Sequence, residues 1–134
     1  MDTEQNRELV LRFCHLLSTR KLDEMFSLMA DDGTWSGVGD PKTFAYGGQR
    51  SKAQSIQLIG QFLIGFDEFR FEVFGTTAEG SRVSVEARSQ GTGPGAKRYA
   101  NEYLLHFECR DGKIQTIREF FDQMAVLSYA GQPA

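Results

Sequence analysis

The sequence predicts an α+β fold, in which three N-terminal helices pack on the concave face of a cone-shaped, curved antiparallel sheet. Two observations carry this prediction. Apolar residues recur at helical spacing up to Phe66, and from Phe69 onward they alternate with polar residues as in strands. Helices followed by a run of strands are typical of α+β proteins. The 134 residues, of which 40% are hydrophobic and 25% charged, fit a single domain over residues 1–134.

Two helices are predicted before residue 31. The apolar face of the first consists of Leu9, Val10, Phe13, Leu16 and Leu17. Asp2 and Gln5 have the spacing of a capping box at its start. The second helix is shorter, and its apolar stripe consists of Leu22, Met25, Phe26 and Met29. The run Asp31-Asp32-Gly33 is predicted to end it.

A glycine-rich segment from Trp35 to Arg50, which also contains Pro41, is predicted to be irregular. Ser51 and Gln54 then form a second capping box. The third helix follows with an apolar face made of Ile56, Ile59, Phe62, Leu63 and Phe66. Its two glycines weaken the helical pattern, because glycine costs about 1 kcal/mol inside a helix.

About four strands in an antiparallel meander are predicted after the third helix. The alternating residues are Phe69, Phe71 and Val73; Val83, Val85 and Ala87; Tyr99, Asn101, Tyr103, Leu105 and Phe107; and the segment Ile114 to Phe121. Turns are predicted at Gly80, over Gly91 to Gly95, and at Asp111-Gly112. The glycine-rich turn leads into a strand, so it lacks the helix N-terminus that would bind phosphate.

Composition argues against several classes of function. The net charge of −3 and the absence of a basic run disfavour nucleic acid as a partner. No apolar stretch approaches the roughly 20 residues of a membrane span. The polar start, MDTEQNRE, and two widely separated cysteines, Cys14 and Cys109, predict a cytoplasmic protein with reduced thiols. Two isolated histidines give no metal site, and no cofactor is predicted.

Three segments resemble the SnoaL-like, ketosteroid-isomerase-like branch of the nuclear-transport-factor-two-like superfamily. They are LLSTRKLDEMFSLMADDGTW, YANEYLLHF and DGKIQTIREFFD. This branch includes polyketide cyclases, ketosteroid isomerase and limonene epoxide hydrolase. The resemblance implies the cone fold, a pocket for a hydrophobic small molecule and a homodimer through the outer sheet face. Val83 and Val85 would suit that dimer contact if they pointed outward.

The resemblance to ketosteroid isomerase does not extend to its functional groups. The tyrosine that donates to the substrate oxygen is matched by Phe13, which has no donor. The catalytic aspartate falls on Gly37, and a second donor aspartate falls near Tyr103. Steroid isomerisation by that constellation is therefore rejected.

The resemblance to limonene epoxide hydrolase is closer but also altered. Its strand pair of arginine and aspartate maps to Glu86 and Arg88 in reversed order, and its last-strand acid maps to Glu119. The tyrosine and asparagine that hold the water map to Trp35 and Gly37. Hydrolysis by that mechanism is left open.

These alignments predict a polar set on the inward strand faces: catalytic Glu86, Arg88 and Glu119, with substrate-binding Phe13, Trp35, Tyr46, Asn101, Tyr103, Ile117 and Phe121. Strand amphipathicity predicts the reverse for β-strand residues 83–88, with the valines inward and the charges in solvent. The eleven phenylalanines favour an apolar cavity. The sequence leaves three functions open. The first is a cofactor-free enzyme of the isomerase, cyclase or hydrolase type. The second is a non-catalytic binder of hydrophobic metabolites, and the third is a dimeric interaction protein.

Overall fold

The computed structural model describes residues 1–131 and contains, within them, four α-helices and six strands. The helices are α1 (Thr3–Ser18), α2 (Leu22–Ser27), α3 (Lys52–Ile64) and α4 (Gln123–Ala130). The strands are β1 (Met29–Gly37), β2 (Gly48–Ser51), β3 (Glu68–Glu79), β4 (Arg82–Thr92), β5 (Arg98–Arg110) and β6 (Lys113–Phe121). A short 3-10 turn, Pro94–Ala96, joins β4 to β5.

All six strands form one curved sheet in the order β2-β1-β6-β5-β4-β3. The four C-terminal strands make the predicted antiparallel meander. The predicted sheet was too small, because β1 and β2 extend it beyond β6. It was also not wholly antiparallel, since β1 runs parallel to β6.

The first strand replaces a predicted helix end and loop. The second helix stops at Ser27, and Met29 is already part of β1. Asp31 and Asp32 are exposed, and the β1–β6 register shifts between Met29 and Thr34. The sequence predicted a turn there because Asp-Asp-Gly is typical of turns. The irregularity in the pairing lets these residues lie inside a strand.

The predicted set of three N-terminal helices was incomplete, because the described chain has a fourth helix after β6. The side chain of Asp122 caps α4 by accepting from the backbone N–H groups of Met124 and Ala125. Both predicted capping boxes are present, one at Asp2 and Gln5 and the other at Ser51 and Gln54. They fix where α1 and α3 begin.

Helix α1 packs on the inner face of β3 and β4. Val83, Val85 and Ala87 point toward it and are 0% exposed. The suggestion that Val83 and Val85 form an outer dimer contact was therefore wrong. Burial of these three side chains stabilises the fold and fixes the parity of β4, so that Glu86 and Arg88 must face outward.

The two cysteines of the chain lie in or beside this core. Cys14 and Cys109 are both buried free thiols, and burial raises the pKa of Cys14 to about 12. No group of three or more potential metal ligands occurs among residues 1–131. Within the same residues, no helix is long and apolar enough to cross a membrane.

Candidate active site

A narrow cavity of about 70 Å³ opens between the inner face of the sheet and α3. Most of its wall is apolar and comes from α1, α3, β3, β6 and α4, as with Leu17, Phe62, Phe71, Phe121 and Val126. Its polar lining consists of Trp35, Tyr46, Arg50, Tyr99, Tyr103 and Glu119. An apolar cavity with a few convergent polar groups is the usual form of a small-molecule site.

Glu119 is the acidic residue of this cavity. It lies on β6 between the inward-facing Ile117 and Phe121, so strand alternation directs its side chain to the inner face. Its Oε1 accepts a 2.9 Å hydrogen bond from Nε1 of Trp35 on the neighbouring strand β1. Part of the Glu119 surface remains accessible, and it faces the cavity that this residue lines.

The surroundings of Glu119 favour its protonated form. Burial raises its pKa from the ordinary 4.5 to about 6, although the Trp35 hydrogen bond and the charge of Arg50 both oppose the rise. Desolvation therefore outweighs two stabilising contacts. A carboxyl group with a pKa near 6 can both accept and return a proton close to neutral pH.

Arg50 is the basic residue of the cavity. It lies on β2 opposite Trp35, and its Nη1 donates a 2.7 Å hydrogen bond to the Tyr46 carbonyl oxygen. Its Nε is buried without a hydrogen-bond partner in the part of the chain that the structure describes. Burial lowers the pKa of Arg50, and the nearby charge of Glu119 partly offsets this effect. The cavity thus holds one carboxyl group and one guanidinium that interact through space.

A chain of hydroxyl groups lies on β4 and β5. The Tyr103 hydroxyl is 2.8 Å from Ser89 Oγ and 3.0 Å from the Tyr99 hydroxyl. Asn101 Nδ2 donates a 2.8 Å hydrogen bond to the Tyr99 hydroxyl. Burial raises the pKa of Tyr99 to about 12 and that of Tyr103 well above its ordinary value. Both phenols therefore keep their protons and act as donors.

Helix α4 contributes Val126 to the cavity wall, and its Tyr129 packs on aromatic residues beside the cavity. The Tyr129 ring stacks on Phe66, with centroids 4.9 Å apart, and also contacts Phe62 and Tyr99. Lys97 Nζ donates a 2.6 Å hydrogen bond to the Tyr129 carbonyl oxygen. This aromatic cluster supports Phe62 and Tyr99, the two of its members that line the cavity.

The family of the chain follows from its sequence match. Residues 10–126 match the model of the SnoaL-like domain. The chain belongs to the SnoaL-like family. The predicted membership in this branch of the NTF2-like superfamily is therefore confirmed, and the SnoaL-like domain covers the pocket and all six strands.

Three relatives illustrate the similarity of this SnoaL-like chain to known proteins. UPF0523 protein C of Dictyostelium discoideum is 28% identical over 112 residues, which are 81% of this chain and 71% of that protein. An NTF2-like protein of unknown function from Burkholderia pseudomallei has a TM-score of 0.79 at 17% identity, covering 93% of this chain and 96% of the other. An LEH-like epoxide hydrolase of M. tuberculosis has a TM-score of 0.74 at 21% identity, covering 94% and 89%. At these identities the two structures establish the fold alone.

The SnoaL-like fold brings five of the predicted site residues to the cavity wall: Trp35, Tyr46, Tyr103, Glu119 and Phe121. Phe13 and Ile117 are 0% exposed and belong to the core behind Trp35. Asn101 is also buried, and it holds Tyr99 and the start of α4 through Asp122.

Glu86 and Arg88 were predicted to lie in the pocket, and this placement was wrong. Both are exposed on the outer face of β4. Arg88 Nε lies 3.8 Å from Glu72 Oε1, and its guanidinium sits over the Phe74 ring at 4.5 Å. Because Val85 and Ala87 are buried, the alternating residues Glu86 and Arg88 must face outward. Strand amphipathicity alone predicted this outward placement of the two charges.

Three polar residues of the site were not predicted: Arg50, Ser89 and Tyr99. Tyr99 shares strand parity with Asn101 and Tyr103, so alternation could have placed it inward. Ser89 likewise continues the inward row of Val85 and Ala87. Arg50 lies on a four-residue strand without apolar alternation, and the sequence carries no signal for its position.

Proposed function

We propose that this SnoaL-like domain is a cofactor-free enzyme that moves a proton at a carbon next to a carbonyl group of a small, largely apolar compound. One observation carries the proposal: a desolvated carboxyl group with a pKa of about 6, Glu119, shares an apolar cavity with protonated tyrosines. Such chemistry belongs to isomerases and cyclases of the general acid–base type.

Each polar group has a role in this reaction. The Trp35 N–H holds Oε1 of Glu119, so Oε2 is the oxygen that accepts the proton. As the C–H bond breaks, its electron pair moves to the carbonyl oxygen and gives an enolate. The Tyr103 hydroxyl, backed by Tyr99 and Ser89, donates a hydrogen bond to that oxygen. Protonated Glu119 then returns its proton to a second position on the ligand.

Epoxide hydrolysis is less well supported, although a fold relative is described as an epoxide hydrolase. The resemblance required Glu86, Arg88 and Glu119 together, and the first two lie on the outer sheet face. Gly37 also supplies no side chain to hold an attacking water. Proton transfer needs only the groups that line the cavity.

The test is hydrogen–deuterium exchange at the C2 position of acetoacetamide in D2O, followed by proton NMR. Wild-type protein is expected to accelerate exchange above the buffer rate, and Glu119→Gln to reduce it to that rate. Tyr103→Phe should lower the enzymatic rate roughly 100-fold, as expected for the loss of one oxyanion donor.

Glu86→Gln is the matched control, because it makes the same change on the outer face and should retain wild-type exchange. Thermal unfolding of every variant separates lost chemistry from lost folding. Saturable binding of acetoacetamide without exchange by the wild type would contradict the enzymatic role. It would favour the other function considered for this cavity, a module that only binds its ligand.

A further inference from the structure

The guanidinium of Arg50 has donor capacity that the protein leaves unused. Nη1 donates to the Tyr46 carbonyl oxygen, whereas Nε is buried and has no acceptor among residues 1–131. Leaving a charged donor unsatisfied away from water is costly, and a small movement of the side chain that exposed Nε to the cavity would let a ligand supply the missing acceptor. Arg50 lines the cavity, where a ligand would lie.

We infer that Arg50 binds the carboxylate of a keto acid, whose apolar remainder fills the aromatic part of the cavity. This inference names the substrate class of the proposed function and rests on the ligand site of that proposal. Hydrogen bonds between a guanidinium and a carboxylate are stronger than those to a neutral oxygen. The planar guanidinium also matches the two oxygens of a carboxylate.

The small size of the cavity agrees with a short-chain acid. At about 70 Å³ it is well below the range of about 300–1,000 Å³ that holds drug-sized ligands. Phe62 lines the space available to the apolar part, and Phe66 and Tyr129 pack against its ring. A short keto acid has a charged end for Arg50 and little more to bury.

Glu119 sets the conditions under which an anion binds best. Among the described lining residues, Arg50 and Glu119 are the two that carry formal charge. Trp35 from β1, Tyr46 from the β1–β2 connection, and Tyr99 and Tyr103 from β5 face the same space and are neutral, while α1, α3 and α4 contribute apolar side chains. Protonation of Glu119 therefore leaves Arg50 as the remaining charge, and a carboxylate should bind more tightly below about pH 6.

The probes are acetoacetate and acetoacetamide, which have nearly the same shape and differ in charge. Binding is followed by the fluorescence of Trp35, the single tryptophan of the chain. At about pH 5.5, wild-type protein should bind acetoacetate at least about tenfold more tightly than the amide, because one charge-assisted hydrogen bond is gained. Equal affinities would overturn the inference, and this comparison requires no mutant.

Variants assign the preference to Arg50. Arg50→Gln should reduce the acetoacetate-to-acetoacetamide affinity ratio to about one, while the outer-face control Arg88→Gln keeps the wild-type ratio. A ratio that persists in a folded Arg50→Gln protein would contradict the role of Arg50.

Glu119→Gln separates this inference from the proposed function. In that variant the preference for acetoacetate should persist at about pH 8 as well as at about pH 5.5, because the titrating carboxyl group is gone. Loss of C2 exchange with retention of the preference supports both proposals. Retained exchange in Glu119→Gln would overturn the proposed function alone, and loss of the preference at both pH values would overturn the inference alone.

Discussion

The indole N–H of Trp35 donates a 2.9 Å hydrogen bond to the carboxyl group of Glu119, which joins β1 to β6 at the wall of the cavity. The bond lowers the pKa of Glu119, but desolvation is the larger effect and leaves the pKa at about 6. Because Trp35 is the single tryptophan, its indole N–H gives one NMR signal that reports on Glu119.

The first prediction concerns this signal. Its chemical shift should titrate with a midpoint near pH 6, because the acceptor changes from a carboxylate to a carboxylic acid. In Glu119→Gln the signal should stay constant over the same range, and Glu86→Gln should titrate as the wild type does. A midpoint near 4.5 in the wild type would show that burial does not raise the pKa of Glu119.

The second prediction concerns stability. Between pH 4.5 and about 6 the folded protein binds more protons at Glu119 than the unfolded chain, so this group makes the free energy of unfolding fall as pH rises. The rise in pKa corresponds to about 2 kcal/mol. The free energy of unfolding of Glu119→Gln, measured relative to that of the wild type, should therefore rise by up to about 2 kcal/mol from about pH 4 to about pH 7.5.

Urea unfolding at the two pH values measures this difference. Glu86→Gln, which removes one carboxyl group from the exposed outer face, is the matched control. A Glu119→Gln protein whose relative stability falls with pH would mean that the ionised form of Glu119 is favoured by folding.

Strand parity explains which parts of the site the sequence could predict. The alternation in β4, β5 and β6 was sufficient to place Tyr103 and Phe121 inward, and it correctly opposed the placement of Glu86 and Arg88 in the pocket. The family resemblance wrongly placed Glu86 and Arg88 in the pocket. At low similarity, a one-residue error in strand alignment moves a side chain to the opposite face of the sheet.

The segment before α3 could not be predicted in the same way. Residues 29–51 contain an acidic pair, several glycines and few alternating apolar residues, yet β1 and β2 form at the two ends of this segment. The strand structure of β1 comes from pairing with β6, which is far away in the sequence, and that of β2 comes from pairing with β1. Arg50 reaches the site through the β1–β2 pairing, where it lies opposite Trp35, so local pattern gave no indication of it.

The third prediction concerns assembly, which we propose to be a homodimer through the outer sheet face. Leu104 and Phe74 are 47% and 51% exposed on this face, and Leu104 pairs with Phe120 on β6 and with Glu86 on β4. Leu104→Glu would place a second acid beside Glu86 and should shift a dimer to monomers in sedimentation velocity. Ile64→Glu, at an 84% exposed position on α3, should leave the dimer intact. A monomeric wild type would contradict the proposal.

The fourth prediction concerns Gly37, the position to which the family's catalytic aspartate and water-holding asparagine both mapped. A Cβ at Gly37 would lie 2.4 Å from the Tyr46 carbonyl oxygen, the same oxygen that accepts from Arg50. Backbone must move to admit any side chain, so Gly37→Ala should cost about 1–3 kcal/mol of stability, as overpacking does. It should also weaken acetoacetate binding, because Tyr46 and Arg50 would be displaced together.

Gly60→Ala is the matched control for Gly37→Ala. Gly60 lies inside α3, and a Cβ there would meet no atom of the described chain within 4 Å. The substitution should therefore raise stability by up to about 1 kcal/mol through helix propensity alone. Equal effects of the two substitutions in urea unfolding would contradict the close approach at Gly37. Opposite signs would support the close approach at Gly37, which leaves no room there for the side chain of an acid.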